Sequence, residues 1–198
     1  MTLHLNGLYS ELVLASTSPS RRALLTALGM PFRAETPGVE ETVPQGTTTR
    51  ASVAMLAERK ARAVLARWPT ALVIGADQLV DLDGRALGKP IDKNAARKQL
   101  ESLNGRTHEI LTGVCVVGPA YFCCEVDVAK LTLFPLEPDE LDRYVRLGEW
   151  EGCAGAYRIE GRGQALFASV DGDRTSVQGL PMPLLTRLLR EAGLSFFH

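Results

Sequence analysis

No apolar run in this chain approaches the ~18 uninterrupted residues of a membrane-spanning helix. The N-terminus lacks a basic stretch followed by a long apolar core, so no secretory signal is expected. An excess of one charge is also missing: 22 Lys and Arg face 23 Asp and Glu, for a net charge of −1. This leaves no global basic field for a nucleic acid polymer, whereas a small anionic ligand needs only a local positive cluster. None of the four cysteines (Cys115, Cys123, Cys124 and Cys153) forms a CxxC pair with metal spacing. They read as free thiols, mostly small core residues, in a reduced, cytoplasmic setting. His108 has no second His or Cys at ligand spacing and reads as a structural residue near a strand start. Gly88-Lys89-Pro90 lacks the glycine spacing and following Ser or Thr of a Walker A loop. Gly155–Gly163 is glycine-rich but lacks the GxGxxG register, so a dinucleotide fold is poorly supported. A loop bringing Glu160 close to a ligand remains open there.

What is present is a long alternation of strand and helix signals. With 198 residues, 45% of them hydrophobic, the chain can bury a substantial core. Leu12–Ala15 reads as a strand and Pro19–Leu28 as a helix, with Ser18 as N-cap, Pro19 in the first turn and Gly29 at the end. Phe32–Glu35 reads as a short strand, 37–48 as a polar loop and Thr49–Trp68 as a long helix. Ala71–Ala76 is a continuous apolar run, as in a strand buried on both faces. Leu79–Leu87 follows as a hairpin around Asp83-Gly84. A helix is expected over Asn94–Leu103, and paired strands over Glu109–Val117 and Phe122–Phe134. Helices at Pro138–Leu147 and Pro181–Ala192 flank a strand at Ala165–Val170. With no internal repeat or linker, this predicts one α/β domain over 1–198, a mixed sheet flanked by helices. The Pro138–Leu147 region would form a second lobe and leave a cleft between lobes.

Ser16-Thr-Ser-Pro-Ser-Arg-Arg22 joins the first strand to the first helix, and helix N-termini attract anions. Arg21 precedes Leu24, Leu25 and Leu28 by three, four and seven positions, so it shares their inward face. Lys60 falls on the inner stripe of Val53, Leu56, Ala57 and Val64, while Arg59, Arg62 and Arg67 lie mostly away from it. Snorkelling to water is the alternative for both cations. Asp77 follows the buried run at an expected strand end, where it could bind a metal or accept a proton. An ordinary turn Asp, a solvated Lys89 and a solvated Glu40-Glu41 pair are the corresponding plain readings.

Taken in order, these pieces resemble the Maf family of nucleoside triphosphate pyrophosphatases. The matching stretches are Leu14–Pro19 with Arg21-Arg22, Glu40-Glu41, Leu56-Ala57 with Lys60-Ala61, and Ile74–Asp77. They continue through Gly84 to Pro90, Asn104-Gly105, His108, Thr112-Gly113, Cys153–Gly155, Ile159–Gly161 and Gly179–Pro181. The resemblance implies a Maf-like fold and hydrolysis of a nucleoside triphosphate to monophosphate and diphosphate with a divalent cation, Mg²⁺ or Mn²⁺. It implies Asp77 as proton acceptor, Ser16, Arg21, Lys60 and Lys89 as phosphate-binding residues, and Glu41 with Asp77 as metal ligands. Substrate-determining positions fall on Ser20, Gln78 and Glu160. Gln78 and Glu160 match the YceF-like branch, which acts on 7-methyl-GTP, as does Cys153–Gly155. Ser20 departs from that branch's aromatic residue, and Arg59 replaces an acidic neighbour of the family lysine. The implied partners are the nucleotide and, as a homodimer, a second copy of the chain, with no nucleic acid polymer or membrane. Hydrolysis of dTTP, UTP or another modified nucleotide, or a non-catalytic role in cell division, are the alternatives.

Overall fold

The computed structural model describes residues 7–197. The terminal residues on which the signal-peptide and domain-limit expectations partly rest lie outside that range. A seven-stranded mixed sheet forms the centre, in the order β2-β1-β3-β5-β6-β7, with β4 pairing to β3. The strands are β1 (Leu12–Ala15), β2 (Arg33–Ala34), β3 (Leu72–Leu82), β4 (Arg85–Leu87), β5 (Thr107–Gly118), β6 (Tyr121–Leu133) and β7 (Phe167–Asp171). Among the described residues, only the β1 pairings with β2 and β3 are parallel. The helices are α1 (Pro19–Thr26), α2 (Thr49–Leu65), α3 (Lys93–Leu103), α4 (Pro138–Arg146), α5 (Arg174–Val177) and α6 (Met182–Glu191).

The period of two along the strands decides which core each residue joins. Leu12, Leu14, Leu72 and Ile74 face α1 and α6 in a core with Leu25, Leu185 and Leu188. Val13, Ala15 and Val73 face the other way, onto Ala57, Ala61 and Val64 of α2. The far ends of β3, β5 and β6 carry a third core with Leu100 and Leu103 of α3 and Leu141 and Tyr144 of α4. That core is the second lobe. Local signals set the ends of several elements. Ser18 and Thr48 side chains accept from Arg21 N and Ala51 N, capping α1 and α2. Asp83 and Gly84 both have positive φ, as a two-residue type I′ hairpin requires. Among the described residues, no helix is long and apolar enough to cross a membrane.

Two sequence expectations are corrected. First, β3 does not stop at Ala76: it runs unbroken through Asp77 and Gln78 to Leu82, held throughout by antiparallel pairing with β5. The break suggested by two polar residues is absent because β5 pairs with β3 continuously from Val73 to Asp81. Second, Cys115 and Cys124 are joined in a disulfide, so they are not free thiols. They stand directly opposite each other in the β5–β6 register, in which each pair is placed symmetrically about the Pro119–Ala120 turn. Cys123 and Cys153 are free. Three short elements lie outside the sequence expectations: α5 and the 3-10 turns at Ala154–Ala156 and Arg162–Leu166.

Candidate active site

The site is built where β1 ends. Parallel pairing of β1 with β3 stops at Ala15 and Gly75, and beyond that point β3 has no strand on its β1 side until β4 pairs at Val80. Asp77 therefore lies in mid-strand yet at an opening of the sheet. It shares the face of Val73 and Gly75, which α2 covers. Gln78 takes the opposite face. Both reach one cavity of about 420 Å³ because the missing neighbour leaves both faces of the strand accessible there.

Lys60 projects from α2 into this opening and is only 5% exposed. Its Nζ lies 2.5 Å from Asp77 Oδ1 and 2.5 Å from Glu41 Oε1. Lys60 is thus not a snorkelling lysine; it is a buried cation between two carboxylates. Burial is the largest influence on Asp77 and pushes its carboxyl above the ordinary value, while Lys60 and Arg21 pull it back. Glu41 moves the other way. The hydrogen bond from Lys60 holds its carboxyl below the usual range.

Arg21 closes the bare edge of β3. Its Nη1 donates to Ala76 O at 2.9 Å and its Nε to Gly179 O at 2.8 Å. The guanidinium does here what a neighbouring strand would do, and it still lines the cavity with its remaining donors. Burial lowers its pKa, opposed by Asp77 and Glu41. Ser16 is buried at the end of β1, where its Oγ accepts from Ser18 N at 3.1 Å. It shapes the turn, and Ser18 and Ser20, rather than Ser16, line the cavity.

The second lobe supplies the facing wall. Lys89, Cys153, Tyr157 and Glu160 line it. Ser20 Oγ donates to Glu160 Oε1 at 2.7 Å, so the first helix touches the second lobe across the cleft mouth. Tyr157 hydrogen-bonds His108 Nε2 at 2.6 Å behind the wall. Burial pushes the pKa of His108 down to about 4, so this residue is a neutral structural support. Of the residues singled out from sequence, Arg21, Lys60, Asp77, Gln78, Lys89, Glu41, Ser20 and Glu160 converge on the cavity, and Ser16 stands behind it.

Two contributions escaped the sequence. Arg59 Nη1 donates to Glu40 O and Thr42 O, each at 2.8 Å, bracketing Glu41 and pinning its loop to α2. The outward phase of Arg59 was the available signal, but its target lies in a loop without periodicity. The second contribution is the segment after α5, whose Val177, Gln178 and Gly179 line the cavity. A four-residue helix leaves too little pattern to detect.

Known proteins place this architecture. The family described as "Maf: Maf-like protein" matches residues 11–192. The chain is 45% identical over 185 residues to a protein named dTTP/UTP pyrophosphatase from Pelotomaculum thermopropionicum, covering 92% of this chain and 97% of that protein. It is 43% identical over 187 residues to a protein named 7-methyl-GTP pyrophosphatase from Xanthomonas campestris pv. campestris, covering 93% and 97%. The solved structure of the Staphylococcus aureus Ham1 protein shares the fold, with a TM-score of 0.53 at 14% identity over 92% of this chain and 99% of that one. With the family match spanning nearly the whole sequence and relatives above 40% identity on both sides, the chain belongs to the Maf family.

Proposed function

We propose that this protein is a nucleoside triphosphate pyrophosphatase that hydrolyses 7-methyl-GTP to 7-methyl-GMP and diphosphate, removing a modified nucleotide from the pool. One observation carries the reading: the buried Asp77–Lys60 pair shares its cavity with the Glu160 carboxylate. A carboxylate whose proton affinity is raised by burial is a better base for water. Asp77 takes a proton as the water oxygen attacks the α-phosphorus; the α–β anhydride bond breaks and diphosphate leaves. Lys60, Lys89 and Arg21 offset the charge of the triphosphate, which otherwise repels the nucleophile.

A divalent cation fits the donor set. Glu41 and Asp77 are hard oxygen ligands that already touch one common cation, the Lys60 ammonium. Among the described residues, no group of three or more His, Cys, Asp or Glu is preassembled for a metal. Mg²⁺ is commonly held by one or two carboxylates together with substrate phosphates. Glu41 and Asp77 would hold Mg²⁺ or Mn²⁺, which when bound supplies further charge neutralisation.

Glu160 suits the base. Guanine offers N1–H and N2–H₂ donors, and 7-methylation adds positive charge, both matched by a carboxylate. A second reading, dTTP or UTP, draws on the name of the Pelotomaculum relative and on Ser20, which offers no ring for stacking. A panel of nucleoside triphosphates with Mg²⁺ or Mn²⁺, read by diphosphate release, tests both. The highest kcat/KM is expected for 7-methyl-GTP. A higher value for UTP or dTTP moves the assignment to the second reading, and no turnover of any nucleotide removes the enzymatic one in favour of a binding regulator.

A further inference from the structure

Gln78 stands one residue beyond Asp77, and the nitrogen end of its amide is fully engaged. Nε2 donates to Ser176 O at 2.6 Å, to Val177 O at 3.2 Å and to Thr112 Oγ1 at 3.1 Å. Two of these partners are backbone carbonyls, which can only accept. Turning the amide over would set its oxygen 2.6 Å from a carbonyl oxygen, exchanging hydrogen bonds for repulsion. Chemistry therefore fixes which end faces the Ser176–Val177 backbone.

Thr112 completes the arrangement. It lies directly across from Gln78 in the β3–β5 register and is wholly buried. Its single hydroxyl proton goes to Ser176 O at 3.1 Å. With that proton committed, Thr112 Oγ1 can only accept from Gln78. No donor among the described residues pairs with Gln78 Oε1, and Gln78 lines the cavity.

We propose that Thr112 is a positioning residue for nucleotide recognition: together with the Ser176 and Val177 carbonyls it anchors the Gln78 amide nitrogen, and so holds Gln78 as a fixed hydrogen-bond acceptor for the base. This rests on the cavity being the nucleotide site. With the Glu160 carboxylate on the facing lobe, the cavity then presents two acceptors. Guanine answers with two adjacent donors, N1–H and N2–H₂. Uracil and thymine answer with one, N3–H, flanked by two carbonyl oxygens that acceptors repel.

Thr112→Val removes the hydroxyl while keeping the shape, and Thr112→Ser restores it. KM and kcat are measured with whichever nucleotide the wild-type enzyme turns over best. Inhibition by inorganic tripolyphosphate, which has no base, reads phosphate binding alone. Thr112→Val is expected to raise KM about tenfold, the loss of one well-placed hydrogen bond. It should leave kcat and the tripolyphosphate inhibition constant within about twofold, and Thr112→Ser should return KM to the wild-type value. An unchanged KM, an equal loss of tripolyphosphate binding, or no rescue by Ser overturns the proposal. If Thr112→Val does not fold, the wild-type enzyme is assayed with a nucleotide methylated on its donating ring nitrogen (N1 of guanine, N3 of uracil or thymine). A tenfold rise in KM, about one hydrogen bond, supports a fixed acceptor, and an unchanged KM overturns it. A wild-type preference for UTP or dTTP would overturn the 7-methyl-GTP reading alone, since their N3–H also requires an acceptor.

Discussion

Helix α2 carries Lys60 to Asp77, and it lies close enough to the sheet because two strand positions have no side chain. A Cβ added at Gly113 would fall 2.3 Å from Val53 O, and one at Gly75 would fall 2.2 Å from Ala57 O. Gly113 stands directly across from Asp77 in the β3–β5 register. The obstacle at both positions is helix backbone, which has no rotamer with which to yield. Gly113→Ala must therefore displace α2 by roughly 1 Å in an interior packed without slack. Overpacking of this kind costs about 1–3 kcal/mol, with the upper end expected against backbone. For a domain of this size, that loss lowers the thermal midpoint by about 5–10 °C. The same displacement opens the 2.5 Å contact between Lys60 and Asp77, and a misplacement of about 1 Å at such a contact can cost ~10²-fold in rate. Circular dichroism melting gives the first quantity and initial rates of diphosphate release give the second. Gly88→Ala serves as the stability control, because a Cβ there meets nothing within 4 Å, and it should shift stability by less than about 0.5 kcal/mol. A Gly113→Ala protein that melts at the wild-type temperature would refute the claim that these glycines set the height of α2.

Asp77→Asn should lower kcat by about 10²–10⁴-fold with an unchanged circular dichroism spectrum, and near-normal turnover would remove Asp77 as the base. As the proposed base, Asp77 must be unprotonated, and burial raises its pKa, so kcat/KM should fall on the acid side at a pH above that of an ordinary carboxyl; an acid limb at or below the ordinary value of 3.8 counts against this. Glu160→Gln should reduce turnover of 7-methyl-GTP more than it weakens tripolyphosphate binding, and equal losses on all nucleotides would refute the specificity role. His108 stays neutral in the fold down to about pH 4 but protonates near 6.5 when unfolded. Its contribution is therefore intact above pH 6.5 and is lost as pH falls through 4, amounting to about 3 kcal/mol. Urea unfolding at pH 7 and pH 4 should show a smaller acid loss in His108→Gln than in the wild type, and equal losses would discount the histidine.

Much of the site was legible because helical phase is a local property. Arg21 and Lys60 fell on apolar faces in the sequence, and both face the cavity in the fold. The tight Asp83-Gly84 turn, the N-cap at Ser18 and the two long central strands were likewise written in short windows of residues. Arg59 shows where such reading fails. Its side chain points away from the core, as the phase requires, but its partners are backbone carbonyls of a loop 17 and 19 residues earlier. The Cys115–Cys124 bond was missed for a related reason. The two sulfurs come face to face through the β5–β6 register, a property of the pairing and not of either strand's own pattern.

By itself, the sequence determined the alternation of elements, the faces of α1 and α2, and the set of charged residues that had no reason to be in a core. Those follow from backbone periodicity and from the cost of burying an unpaired charge. Only the tertiary structure decided where β1 ends against β3, and that end is what exposes both faces of β3 and brings Asp77 and Gln78 to one cavity. It also decided that the Gln78 amide turns its nitrogen inward, because Thr112 and Ser176 reach it from positions 34 and 98 residues away. Strand ends and amide orientations depend on partners that pairing supplies, and no local window of the chain contains them.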